Sequence, residues 1–192
     1  VAIVGMECGG HPGSNTDMPA LLAATIAAER LSIPFAIGGG IGTGRQILAA
    51  LALGADGVVI GTRFLTATEL STHPAYKARM VAASENESLV ALAGNRTMGG
   101  AWRVLNNATS REVKRRECEG ATGYDSFADL LTGKLTRDAC YQQGDAEQGM
   151  VSMGPAICFA DRVEPIASIM ARMLDDATSA RRRIEGLWTE KA

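Results

Sequence analysis

The sequence has no pair of cysteines at C-x-x-C spacing. Cys8, Cys118, Cys140 and Cys158 stand apart, which weighs against a zinc site or a redox motif and leaves reduced, structural thiols as the plain reading. It has no excess of basic residues either. The formal net charge is -2, so no positive field exists to gather nucleic acid or an anionic membrane. No apolar run approaches the roughly 20 residues that span a bilayer, and no charged start with a cleavage site marks a secretory leader. Together these absences give the expectation of a cytoplasmic protein acting on small molecules.

What is present is apolar and glycine-rich. The 192 residues are 46% hydrophobic, enough for one well-filled core or a core with an appendage. The 22 glycines and eight methionines are on the high side and suit a soft cavity. Residues 1–4, Val-Ala-Ile-Val, already read as a buried strand, which gives the expectation that the sequence starts in mid-domain.

A glycine-rich loop follows that first strand, running from Gly5 to Gly13. Asp17 is a plausible N-cap, with Pro19 in the first turn of a helix whose apolar face is Leu21, Leu22, Ile26 and Leu31. Pro34 opens a second strand that ends in Gly38, Gly39 and Gly40. Thr43 can cap a helix over 44–53 carrying Ile47, Leu48 and Leu51, and Gly54 stops it. A third strand, 56–60, runs into Gly61, Thr62, Arg63 and Phe64. Residues 1–64 therefore read as β-α-β-α-β, each strand ending in glycine. Beyond them the spacing predicts a helix over 74–83 with His73 near its start, a strand over 88–93, a charged helix over 111–117 and a short helix over 124–131. A loop containing Tyr141, Gln142, Gln143, Gly144 and Asp145 leads to the most helical stretch, 163–187, with Ile166, Ile169, Met170, Met173 and Leu174 facing inward.

The glycines after the second and third strands either permit tight βα turns or leave N–H groups unshielded for an anion. Two adjacent loops of matching character favour the anion, with Thr62 adding a hydroxyl donor. Loops at this end of a parallel sheet form the recurrent phosphate site of (β/α)₈ barrels. No Gly-Lys-Ser/Thr follows, so this is not a P-loop, and the G-x-G-x-x-G dinucleotide fingerprint is absent. His11 lies in the loop at the same end of the sheet, among glycines that offer it little packing. Proton abstraction is the natural task for it there. Glu7 could be a base too, but one turn of loop before His11 it reads rather as a positioning or hydrogen-bonding group, and His73 reads as a helix-start residue. Arg63 pairs with phosphate or with a carboxylate. Tyr141, Gln142 and Gln143 form either a bland turn or a lid. Trp102 and Trp188 read as packing residues.

Four stretches carry a resemblance: Glu7-Cys8-Gly9-Gly10-His11-Pro12-Gly13; residues 39–45; residues 50–57 with Gly61-Thr62-Arg63-Phe64; and Tyr141-Gln142-Gln143-Gly144-Asp145. In order and spacing the sequence resembles the nitronate monooxygenase (2-nitropropane dioxygenase) family and its relatives, the flavin NADH:quinone reductases. The resemblance implies an α/β flavoprotein holding FMN noncovalently. It would be the C-terminal part of a TIM barrel, at 1–72 and 141–192, with a small α/β second domain at 73–140 closing over the flavin. Gly38, Gly39, Gly40, Gly61 and Thr62 would bind the phosphate, and Gly9 and Gly10 would turn beside the flavin ring. His11 would take the α-proton of a nitroalkane, whose nitronate is oxidised by dioxygen to a carbonyl compound and nitrite. NAD(P)H:quinone reduction and enoyl-thioester reduction are the alternatives on the same scaffold. Family members carry the first barrel strands ahead of the point matching Val1. Three strands cannot close an eight-stranded barrel, so a complementing chain, a homo-oligomer or a non-catalytic fragment is also an expectation.

Overall fold

The computed structural model describes residues 1–12, 17–93 and 100–189; Gly13 of the first glycine loop lies outside them. Three short strands, β1 (Ala2–Val4), β2 (Ala36–Gly38) and β3 (Gly57–Val59), form a parallel sheet in the order β1-β2-β3. The register pairs Val4 with Gly38 and Gly38 with Val59, so the three C-terminal ends are level and their loops open side by side. Helices α1 (Ala20–Arg30) and α2 (Gly44–Ala52) make the crossovers. The β-α-β-α-β reading of residues 1–64 holds.

Helix α1 differs from expectation at both its start and its face. Asp17 is not the N-cap. The helix begins at Ala20, whose N–H donates to the Glu7 carboxylate at 3.0 Å, so Glu7 caps α1 from the first glycine loop. Leu21, Leu22 and Leu31 point outward, and the buried row is Ala20, Ala23, Ala24 and Ala27. That row has the i, i+3, i+4, i+7 spacing of one helix face, and its small side chains let the helix lie close over Ile37 and Phe35 of the neighbouring core.

Helix α2 starts with a capping box. Thr43 Oγ1 accepts from the Gln46 N–H at 3.3 Å, and Gln46 Oε1 accepts from the Thr43 N–H at 3.0 Å. Its outer side packs along the long C-terminal helix α6 (Ile166–Thr189). A Cβ at Gly44 would lie 1.9 Å from the Met173 carbonyl oxygen, so the two backbones touch there. Within α6, Ile169 and Met173 are buried as expected, but Ile166 and Leu174 are exposed.

Between β3 and α6 the chain builds a smaller layer. Helix α3 (Pro74–Val81) is followed by β4 (Ser88–Ala91), which pairs antiparallel with β5 (Trp102–Leu105). The predicted 88–93 strand stops early because Leu92 turns to φ +59°. Strand β5 carries no sequence expectation. Helix α4 (Ala108–Cys118), a 3₁₀ turn at Tyr124–Ser126 and α5 (Ala128–Leu131) follow. The next element is a π-helical segment, Leu135–Gln142, so Tyr141 and Gln142 close a helix rather than a loop. Tyr76, Met80, Leu105 and Cys140 share one core with Val151, Met153 and Ile157, which binds this layer to the return segment before α6.

Candidate functional site

At the level ends of β1, β2 and β3 lies a cavity of about 190 Å³. Its lining brings together Gly9 and His11 from the first loop, Gly38, Gly39 and Gly40 from the second, and Gly61 and Thr62 from the third. Val4, Val59, Ile41 and Ala156 supply an apolar wall. Among the described lining residues none is acidic. Cys8 also faces the cavity, and partial burial pushes its thiol up from the ordinary value against the opposing pull of Arg103. A lining that sets glycine loops, one imidazole and one hydroxyl beside apolar side chains, with no carboxylate, suits an anion.

The second loop is shaped for close approach. Gly39 and Gly40 take φ +108° and +69° in succession, a region that L side chains rarely enter. Gln46 then holds the loop from behind. Its Nε2 donates to the Gly40 carbonyl at 2.7 Å, and its Oε1 accepts from the Gly42 N–H at 2.9 Å. The third loop contributes open space, since a Cβ at Gly61 would meet nothing within 4 Å. Thr62 Oγ1 accepts from the Gly154 N–H at 3.0 Å, which leaves its hydroxyl proton for the cavity.

The first loop is clamped in place. Gly10 N–H donates to Arg103 O at 2.8 Å, and Arg103 N–H donates to Gly10 O at 2.7 Å. Gly10 therefore sits behind the cavity on β5 and is not part of its lining. Gly9 and Gly154 meet at backbone distance: a Cβ on Gly9 would fall 2.8 Å from the Gly154 nitrogen. His11 is exposed at the edge of the cavity, its ring stacked on Trp102.

Other expected residues lie elsewhere. Arg63 turns away from the cavity and pairs with a carboxylate, its Nη2 lying 3.2 Å from Glu164 Oε1 in a buried ion pair. His73 caps α3, Nδ1 accepting from the Ala75 N–H at 3.1 Å. Tyr141, Gln142 and Gln143 are not brought to the cavity. Tyr141 packs edge-on against Tyr76 at 5.1 Å between centroids, and burial raises its phenol. Gln46, Ala156 and Gly154 join the site without having been singled out, while Cys8 and Ile41 lay within the stretches that carry the resemblance but had no role assigned. Gln46 had a local signal, standing three residues after Thr43 as a capping box requires.

The sequence model of the nitronate monooxygenase family matches residues 1–176. The chain belongs to this family. A Staphylococcus aureus protein named "Probable nitronate monooxygenase" is 31% identical over 178 residues, covering 89% of this chain and 48% of that protein. Among solved structures, FabK from Thermotoga maritima superposes with TM-score 0.84 at 29% identity, over 97% of this chain and 57% of that one. Nitroalkane oxidase from Streptomyces ansochromogenes gives TM-score 0.76 at 25% identity, over 96% and 53%. The chain thus spans about half the length of the relatives it matches. No helix among the described residues is long and apolar enough to cross a membrane, and no cluster of potential metal ligands is found among them.

Proposed function

We propose that this chain carries the phosphate seat and the catalytic base of an FMN-dependent oxidoreductase that oxidises alkyl nitronates, formed from nitroalkanes, with dioxygen to a carbonyl compound and nitrite. One observation carries the reading: His11 and three glycine loops line a single cavity that contains no carboxylate. Family membership and the likeness to a nitroalkane oxidase support the substrate class. We read β1, β2 and β3 as consecutive βα units of a (β/α)₈ barrel, in which the C-terminal strand ends hold ligands. Residues 73–140 we assign to a small domain over the site, and the protein to the cytoplasm.

The residues fit the phosphate end of FMN. Gly39 and Gly40 admit an oxyanion to the backbone without a Cβ in the way, Gly61 leaves open space, and Thr62 has a hydroxyl proton to donate. Small-molecule sites commonly enclose roughly 300 to 1,000 Å³, so a cavity of about 190 Å³ takes the phosphate and the start of the attached chain rather than a whole cofactor. Bound FMN would supply the electron-accepting ring for the oxidation. His11 would remove the α-proton of a neutral nitroalkane, which leaves the nitronate with the electron pair of the broken C–H bond. Val4, Val59 and Ala156 give the rest of the cavity an apolar lining.

Oxygen uptake on neutral nitroalkane and on preformed nitronate tests this, with FMN supplied. His11→Asn should abolish turnover of the neutral substrate and spare the nitronate, since only the former needs a base. Equal loss of both would remove His11 from the base role. Rapid NAD(P)H-dependent quinone reduction without nitronate-dependent oxygen uptake would replace nitronate oxidation with quinone reduction.

A further inference from the structure

The imidazole of His11 lies against the indole of Trp102, ring centroids 4.8 Å apart and planes 26° from parallel. Trp102 begins β5, so a residue of the layer beyond the parallel sheet forms the back of the proposed base. The indole is itself anchored: its Nε1–H donates to Ser152 Oγ at 2.9 Å. Ser152 belongs to the return segment, which bridges β5 at Val104. The loop carrying His11 is fastened to the same strand by the paired Gly10 and Arg103 bonds. Backbone and ring are thus held by one element.

An exposed imidazole on a glycine loop turns freely about its two side-chain torsions, whereas a general base must stay within hydrogen-bond reach of the proton it takes. Among the described residues no side chain hydrogen-bonds the His11 ring, and the contact that restrains it there is the indole face. The face also carries the negative lobe of the aromatic quadrupole, which attracts a cation lying over it. That attraction exists only once His11 has gained its proton. Other ionisable groups facing the loop do not substitute for it. Burial raises the Cys8 thiol, and Arg103 is engaged elsewhere on the loop, its Nε donating to Met6 O at 3.1 Å and its Nη1 to Ser88 Oγ at 3.3 Å. Glu7 faces the start of α1.

We propose that Trp102, pinned by Ser152, is a positioning residue for His11: it sets the plane of the imidazole at the cavity edge and stabilises the ring after proton abstraction. The inference rests on the reading of His11 as the base.

The chain has only two histidines, so the ring-proton resonances of His11 and His73 can be followed separately by NMR as pH is varied, with His11→Asn making the assignment. Trp102→Leu should weaken proton binding at His11 by about two- to fivefold, the range of an exposed cation–π contact, and leave His73 unchanged. It should also move the His11 ring protons as the ring-current shift of the indole is lost. Trp102→Phe should retain most of both effects, and Ser152→Ala should lose part of them. In turnover, Trp102→Leu should lower kcat on neutral nitroalkane by a similar factor while sparing KM and the rate on preformed nitronate. An unchanged His11 titration in Trp102→Leu would overturn the proposal. If the titration shifts as expected while wild type fails to oxidise nitroalkane, the positioning stands and the nitroalkane reading falls. Trp102→Phe with Ser152→Ala answers the question should Trp102→Leu not fold.

Discussion

Replacing Glu164 with Gln should cost this protein roughly a third of a typical domain's stability. Arg63 and Glu164 are joined at 3.2 Å with side chains 3% and 10% exposed, one of the least solvated charge pairs among the described residues. The same Glu164 oxygen also accepts from Arg172, and Arg63 Nη1 has no hydrogen-bond partner in the described structure. Glu164→Gln therefore leaves the buried Arg63 charge uncompensated. Breaking a buried pair from one side costs about 3 to 5 kcal/mol, and for a chain of this size each kcal/mol lowers Tm by roughly 2 to 4 °C. A drop of roughly 10 °C follows, read by circular dichroism. Replacing both partners, Arg63→Met with Glu164→Leu, should return stability to within about 1 kcal/mol of wild type, because matched apolar pairs commonly do; Arg172 keeps Asp161 at 3.1 Å as its partner. A Glu164→Gln penalty under about 1 kcal/mol, or a double variant as unstable as the two singles added together, would mean that Arg63 is not left uncompensated.

Gly44→Ala should destabilise by about 3 kcal/mol in urea unfolding despite the better helix propensity of alanine, because its Cβ would sit 1.9 Å from the Met173 carbonyl oxygen and force α2 and α6 apart. On α4, hydrogen bonds from Arg115 and Arg116 hold the Glu112 carboxyl at about 2, below its ordinary value of 4.5. The folded state thus binds this proton less tightly than the unfolded chain. Its contribution to stability should be full above pH 4.5 and be lost as pH falls toward 2, a dependence that Glu112→Gln should remove. Burial pushes the Cys140 thiol up to about 12, so it should resist alkylation in the folded protein at pH 8 and react after unfolding, as mass spectrometry would show.

The sheet and its loops were readable because strand ends, glycine and local caps are short-range signals. Gly38 to Gly40, Gly61 and Thr62 follow their strands directly, and His11 lies on the loop of the first. Long-range contacts left no such trace. Leu21 and Leu22 outweigh Ala23 and Ala24 in any hydrophobicity count, yet the alanines are buried because α1 packs close over Ile37. Glu7 displaced Asp17 as the cap of α1 across a turn of chain. Strand β5 is four residues long, and its partners are distant: β4, Gly10 and Ser152. Trp102 consequently read as packing, and its place behind His11 emerged only from the fold. Tyr141 and Gln142, read as either a bland turn or a lid, instead close a π-helical segment, with Tyr141 against Tyr76.

On the proposed function the glycine cavity seats a phosphate. Titrating FMN and riboflavin into the wild-type chain and into Gly61→Val, following flavin fluorescence, tests it most directly, since the two ligands differ only in the phosphate. FMN should bind wild type at least about tenfold more tightly than riboflavin, the equivalent of one charge-assisted hydrogen bond. Gly61→Val should lose that advantage at an unchanged melting temperature, because its side chain enters open space. Equal affinity for FMN and riboflavin, or an unaltered preference for FMN in Gly61→Val, would mean that the cavity does not seat the phosphate.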